Sequence, residues 1–181
     1  YLNTRLSTNC YLDKNLDITD KRGYLKNLHL AQIIKYSEVS KKDKVLHLGG
    51  LTGYFSALIS SLCQELFVVE ENIELFNLLK QNLKKIDVSN INLFNKNLLE
   101  GLPNNSPFDL IIIDGPMYVV NDMLKNQLMN NGGRLIYIKK IYDNLGKAYK
   151  ITRNEDLYSS EYLFDVMSTY QIQDKNEDFN F

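Results

Sequence analysis

Tryptophan is absent from this chain of 181 residues, and proline (3), cysteine (2) and histidine (2) are scarce. Each shortage excludes something. Two cysteines cannot build the disulfide framework of a small secreted domain, and Cys63 falls in an apolar, helix-patterned stretch, so Cys10 and Cys63 read as reduced thiols of a cytoplasmic protein. With only His29 and His47 on offer, and no ligand spacing around either, no metal site is expected. Neither sign of charge is in excess: 21 Lys and Arg face 22 Asp and Glu, a net charge of -1. Without a basic stripe there is no pull toward nucleic acid or anionic lipid. No apolar run approaches the ~20 residues that span a bilayer. The opening Tyr1-Leu2-Asn3-Thr4-Arg5 has neither the apolar core of a signal peptide nor a Met, and a trimmed or truncated chain is expected. No Walker A loop and no serine nucleophile elbow is present.

The remaining composition, 44% hydrophobic and 24% charged, is that of one globular domain, expected to be a monomer. Three segments are expected: an irregular N-terminal stretch over 1–26, a folded domain over 27–170 and a polar tail over 171–181 that ends Phe179-Asn180-Phe181. Apolar residues at helical spacing predict helices over 27–38, 54–62, about 72–85 with Asn72 as N-cap, and about 120–128. On these helices Leu58 shares one apolar side with Phe55, Ile59 and Leu62, Leu78 and Ile86 are placed inward, and Asn130-Asn131-Gly132-Gly133 is read as the C-cap of the last. Strands are predicted over 45–48, 66–69, 91–94, 108–114 and 134–138, then an antiparallel pair over 147–153 and 162–167 at the edge. The run Phe108-Asp109-Leu110-Ile111-Ile112-Ile113-Asp114 suits the centre of a parallel sheet, buried on both faces. Strand and helix alternate, so the fold class is α/β: a doubly wound, mostly parallel sheet with helices on both faces and an antiparallel edge hairpin.

Within that frame one constellation carries chemistry. The strand Val45-Leu46-His47-Leu48 runs into Gly49-Gly50-Leu51-Thr52-Gly53, a turn in which a ligand can pass close over the backbone. Leu51 stands where a G-x-G-x-G turn has its middle glycine. The next strand ends in Glu70, at about the spacing (~20 residues) at which a carboxylate takes ribose hydroxyls. A strand-end acid of this kind is expected to be exposed without ligand, and its loss to leave stability little changed. Asp114 closes the central strand at its carboxyl end and is expected to face the same crevice. His47 reads as a buried, hydrogen-bonded core histidine.

These residues resemble a known family, the protein-L-isoaspartate O-methyltransferases within the class I S-adenosylmethionine-dependent methyltransferases. Val45–Tyr54 is similar to the family's V-L-E-I-G-x-G-x-G-Y. Val69-Glu70 with Ile73-Glu74-Leu75 is similar to V-E-x-x-x-x-L. Gly101-Leu102-Pro103 and Pro107-Phe108-Asp109-Leu110-Ile111-Ile112 match G-x-P and P-F-D-x-I-I. Gln127-Leu128 and Gly132-Gly133-Arg134-Leu135-Ile136 are similar to the Q-L and the G-G-R-L-V of Q-L-x-x-G-G-R-L-V. Tyr11-Leu12-Asp13-Lys14-Asn15-Leu16 is similar to the approach to the family's substrate loop.

The resemblance implies a Rossmann-like methyltransferase fold with S-adenosyl-L-methionine along Gly49, Gly50, Leu51 and Gly53. It implies the ribose on Glu70, the adenine beside Asn97 and Leu98, Asp114 in the same crevice, and substrate beside Tyr24 and Leu25. It implies carboxyl methylation of isoaspartyl residues in proteins or peptides, a repair reaction, with no other cofactor. Four departures weaken the expected activity: Gly23-Tyr24-Leu25 replaces T-[IV]-S, His47 replaces the acid of the first strand, Leu51 replaces a glycine, and Lys96-Asn97-Leu98 replaces G-D-G. The resemblance also leads to the expectation that the family's segment ahead of its substrate-binding stretch is missing. Very low methylation of isoaspartyl peptides is therefore expected. Two alternatives stand beside this reading: methylation of another acceptor, and a degenerate non-catalytic module that uses the fold to bind a cofactor or a protein.

Overall fold

The computed structural model describes residues 13–172 except residue 87. Cys10, the start of the Tyr11–Leu16 segment and the Phe179-Asn180-Phe181 tail lie outside the described residues.

A two-stranded hairpin comes first, β1 (Leu16–Asp17) and β2 (Gly23–Tyr24), inside the stretch read as irregular. Then follow α1 (Asn27–Ser37), β3 (Lys44–Leu48), α2 (Tyr54–Ser60), β4 (Glu65–Val69), α3 (Ile73–Leu83) and β5 (Ile91–Phe94). The second half holds β6 (Leu110–Met117), α4 (Asp122–Lys125), β7 (Asn131–Tyr142), β8 (Leu145–Asn154) and β9 (Leu157–Met167). The main sheet has the order β5-β4-β3-β6-β7-β8-β9. It is parallel from β5 to β7 and antiparallel from β7 to β9. From β3 the chain steps outward to β4 and β5, then returns to place β6 on the other side of β3. That reversal opens a crevice at the carboxyl ends of β3 and β6.

Side-chain alternation splits the core into two layers. Val45, Leu110 and Ile112 face α1, α2 and α3 through Leu30, Ile33, Phe55, Ile59, Leu75 and Leu79. Leu46, Leu48, Ile111 and Ile113 face the other way, onto Leu98, Leu102, Phe108, Leu124 and Leu128. Polar ties close the amino-terminal edge. Arg134 donates to the Ser37 and Glu38 carbonyls and pairs with Asp43 at 2.5 Å, fixing the end of α1 to the start of β7.

Three predicted details differ. Leu58, Leu78 and Ile86 are 39%, 45% and 42% exposed. The buried stripe of α3 is Leu75, Leu79 and Leu83, one row at the i, i+4 spacing, and Ile86 lies past the helix end. The helix expected over 120–128 is cut to Asp122–Lys125, because the chain beyond it bonds to Phe108 instead: Phe108 N–H donates to the Gln127 carbonyl and Met129 N–H to that of Phe108, both at 2.8 Å. Gly132 and Gly133 therefore open β7 and cap no helix. Cys63 follows α2 after its end; it is buried, and burial pushes its thiol up to about 11.

Asn72 caps α3 as predicted, its side chain accepting from Glu74 and Leu75 N–H at 3.0 Å. Asn72→Ala is expected to lower stability by about 1 kcal/mol, read as a lower urea midpoint at unchanged m.

Candidate functional site

The crevice is built on the turn that joins β3 to α2. Gly49 takes φ +97 and Leu51 takes φ +49, both left-handed. For a non-glycine residue that conformation costs about 1–2 kcal/mol. Full burial of a leucine side chain returns about 1.5–3 kcal/mol, and Leu51 is 1% exposed, packed in the core. The side chain at the middle-glycine position is thus absorbed by the protein interior.

The amides of this turn all have internal partners. Gly49 and Gly50 N–H donate to the Val69 carbonyl, and Gly53 N–H to that of Gly50. Leu51 N–H donates to Glu70 Oε2 at 2.9 Å. Thr52 and Tyr54 N–H donate to the Tyr24 hydroxyl at 3.0 and 3.2 Å, and that hydroxyl also meets Thr52 Oγ1 at 2.9 Å. Burial pushes the Tyr24 phenol above its ordinary value against the opposing hydrogen bonds from Thr52 and Tyr54, with the Asp114 carboxylate raising it further.

Glu70 stands directly after β4, beside the turn, where the sequence places it. Its surroundings differ from the expectation. The side chain has no exposed surface, and Arg22 grips it with both nitrogens: Nη1 to Oε1 at 2.6 Å and Nη2 to Oε2 at 2.9 Å. Asn72 N–H adds a third contact type, donating to Oε1 at 3.0 Å. The expectation of an exposed acid fails because a cation from the β1–β2 hairpin covers it. Nothing local in the sequence marks Arg22. It lies in a polar stretch without periodicity, and its partner is far along the chain.

Asp114 comes to the same place. Gly49 has no Cβ, and one built there would stand 3.1 Å from both the Asp114 carbonyl oxygen and Arg22 Nη2. Asp114 lies within β6, which runs on to Met117, in the irregular stretch where pairing to β7 lapses between Ile112 and Pro116. Its carboxylate is fully buried, and neither oxygen has a hydrogen-bond partner among the described residues. His47 is a buried core histidine, its Nδ1 2.9 Å from Ser56 Oγ, while its Nε2 lies 3.7 Å from Asp114 Oδ2, beyond hydrogen-bond reach.

The remaining candidates are placed otherwise. Leu98 is buried in the second core layer, and its N–H donates to Glu71 Oε2 at 3.4 Å. Asn97 is exposed, and its Oδ1 accepts from Leu99 N–H. Tyr24 and Leu25 are both buried: Tyr24 braces the turn, and Leu25 packs in the core because its apolar side chain follows β2 inward.

Because Glu70 is the buried half of an ion pair, Glu70→Ala strands Arg22 and is expected to destabilise the fold by about 3–5 kcal/mol. Chemical denaturation of the two proteins checks this; a change below about 0.5 kcal/mol would mean the pair is not formed in solution.

The family profile described as protein-L-isoaspartate(D-aspartate) O-methyltransferase matches residues 1–167. The protein-L-isoaspartate O-methyltransferase of Shewanella halifaxensis is 30% identical over 166 residues, covering 92% of this chain and 77% of that protein. That of Shewanella woodyi is 33% identical over 121 residues, covering 67% of this chain and 56% of that protein. A solved protein-L-isoaspartate O-methyltransferase superposes with a TM-score of 0.79 at 21% identity, which speaks to the fold. It covers 91% of this chain, while this chain spans about half (54%) of its length. The extent of the profile match, taken with the glycine turn, the acid after β4 and the strand order, settles the assignment: the chain belongs to the protein-L-isoaspartate(D-aspartate) O-methyltransferase family.

Proposed function

We propose that the chain binds S-adenosylmethionine in the crevice at the ends of β3, β4 and β6 and transfers its methyl group to the carboxylate of an isoaspartyl residue in a protein or peptide. The observation that supports the cofactor reading is the buried Asp114 carboxylate, which has no hydrogen-bond partner among the described residues and whose backbone carbonyl borders Gly49 of the turn. A buried carboxylate without a hydrogen-bond donor is costly, and a donor carried by a ligand suits it. The ammonium of an amino-acid moiety fits that demand. Glu70, at the far side of the turn, fits a ribose diol once Arg22 has left it. Asn97 borders the adenine side.

When bound, S-adenosylmethionine supplies an electrophilic methyl group on a sulfonium sulfur. The acceptor carboxylate is already ionised at neutral pH, so no residue of the chain has to remove a proton. The protein's contribution is then to hold acceptor and donor in line, a term that in favourable cases reaches about 7–11 kcal/mol. Tyr24 serves this by fixing the Thr52 and Tyr54 amides, so the turn keeps its shape. The reading places the protein in the cytoplasm, in keeping with the free, buried thiol of Cys63. Among the described residues no helix is long and apolar enough to cross a membrane.

One observation favours the second reading, a non-catalytic binding module: Arg22 saturates Glu70. A radiolabelled methyl-transfer assay decides between the two. Slow transfer to an isoaspartyl peptide, with none to its aspartyl twin, is the expected result. No transfer to either peptide with cofactor demonstrably bound would favour the binding module.

Asp114 has a test of its own. Asp114→Asn is expected to weaken S-adenosylhomocysteine about tenfold or more, since a bond to an ionised group contributes about 1.5–3 kcal/mol. It should leave 5′-methylthioadenosine, which lacks the amino-acid end, almost unchanged. Equal losses for both ligands in calorimetric titration would remove Asp114 from that role.

A further inference from the structure

The hairpin that opens the described chain is folded around Arg22. Ile18 and Thr19 N–H both donate to the Arg22 carbonyl, at 3.1 and 2.8 Å, and Arg22 N–H donates to Thr19 Oγ1 at 3.0 Å. From the other side Gln171 N–H donates to the Lys21 carbonyl at 2.9 Å, so the end of the described chain buttresses the same turn. The guanidinium is thereby aimed into the crevice, and it is largely buried there, 11% exposed.

Its position excludes a ligand from Glu70. An ionised carboxylate offers about four lone-pair sites. In Glu70 these are taken by Arg22 Nη1 and Asn72 N–H on Oε1, and by Arg22 Nη2 and Leu51 N–H on Oε2. No acceptor capacity is left for a diol. The same Nη2 also fills the space that the missing side chain of Gly49 leaves, 3.1 Å from where its Cβ would stand.

We propose that Arg22 is an internal competitor for the cofactor: its guanidinium occupies the position on Glu70 that a nucleoside's vicinal diol requires, and Arg22 must leave before that ligand can bind. This rests on the reading of the crevice as an S-adenosylmethionine site. The competing species has the matching chemistry, a planar fork of N–H donors on a carboxylate standing in for two O–H donors. A protein whose binding-competent form is a minor fraction shows an affinity reduced by that fraction. Arg22 therefore sets the apparent affinity, and the hairpin, with the residues near 171 that support it, becomes the moving part. The barrier should be specific to diol-bearing ligands.

The test is titration of the full chain with S-adenosylhomocysteine, adenosine and 2′,3′-dideoxyadenosine. Three proteins are compared: the unaltered chain, Arg22→Gln and Arg22→Lys. Gln keeps one donor for Glu70 and Lys keeps the charge, so at least one variant retains a partner for the buried acid; circular dichroism confirms folding before titration. Arg22→Gln is expected to bind S-adenosylhomocysteine and adenosine about tenfold or more tighter than the unaltered chain. Arg22→Lys should fall between them, and the dideoxy compound should be indifferent to all three. Equal or weaker binding by both variants, beside measurable binding by the unaltered chain, overturns the competition and leaves the cofactor reading standing. A gain that extends equally to the dideoxy compound overturns the diol specificity on which the proposal rests. No binding by any folded protein overturns both.

Discussion

Glu70 is a fully buried carboxylate at the end of a parallel strand, and such a group exists only if donors surround it. Here they come from three separate parts of the chain: Arg22 from the β1–β2 hairpin, Leu51 from the glycine turn, and Asn72 from the start of α3. The pair with Arg22 is the only one of these that is itself charged, so it neutralises the acid as well as bonding it. Its consequences spread outward. It docks the hairpin on the sheet, which puts Tyr24 where its hydroxyl can cap two amides of the turn. The hairpin in turn receives the far end of the described chain through the Tyr170 hydroxyl on Asp17 and Gln171 N–H on Lys21. One ion pair thus couples the beginning and end of the described chain to the crevice.

That coupling also explains why the site looks more like a finished interior than an open cleft. The turn's amides are all bonded internally, and Leu51 adds its side chain to the core. A glycine at that position would relieve the left-handed strain but would give up the leucine's burial, which is at least as large. Stability and ligand access therefore oppose each other across a few residues. Functional sites commonly show such opposition.

Most of the fold was legible in the sequence because its signals are local and repeated. The run over 110–113 is apolar without alternation, which only a strand covered on both faces requires, and β6 is that strand. Asn72 announces α3 one residue before it begins. What escaped were features set by distant contacts. The segment after α4 had a helical pattern, yet its backbone pairs with Phe108. Glu70 was found by spacing, and its burial could not be, because burial is decided by an arginine in a segment without periodicity. The charge type and the flanking Gly23 were the only marks on Arg22, and neither distinguishes it from a solvated turn residue.

The pair His47 and Asp114 shows how a departure from a motif can be compensated in space. The family pattern has an acid at the position of His47, so the sequence reads as having lost a negative charge from the crevice. In the sheet, His47 lies opposite Ile112 of the neighbouring strand. Asp114 is two residues further along that strand, hence on the same face. Its carboxylate comes within 3.7 Å of the imidazole. An acid thus stands one strand across, beside His47. A motif comparison counts this as a loss because it reads along the chain, whereas the sheet sets the Asp114 carboxylate beside His47.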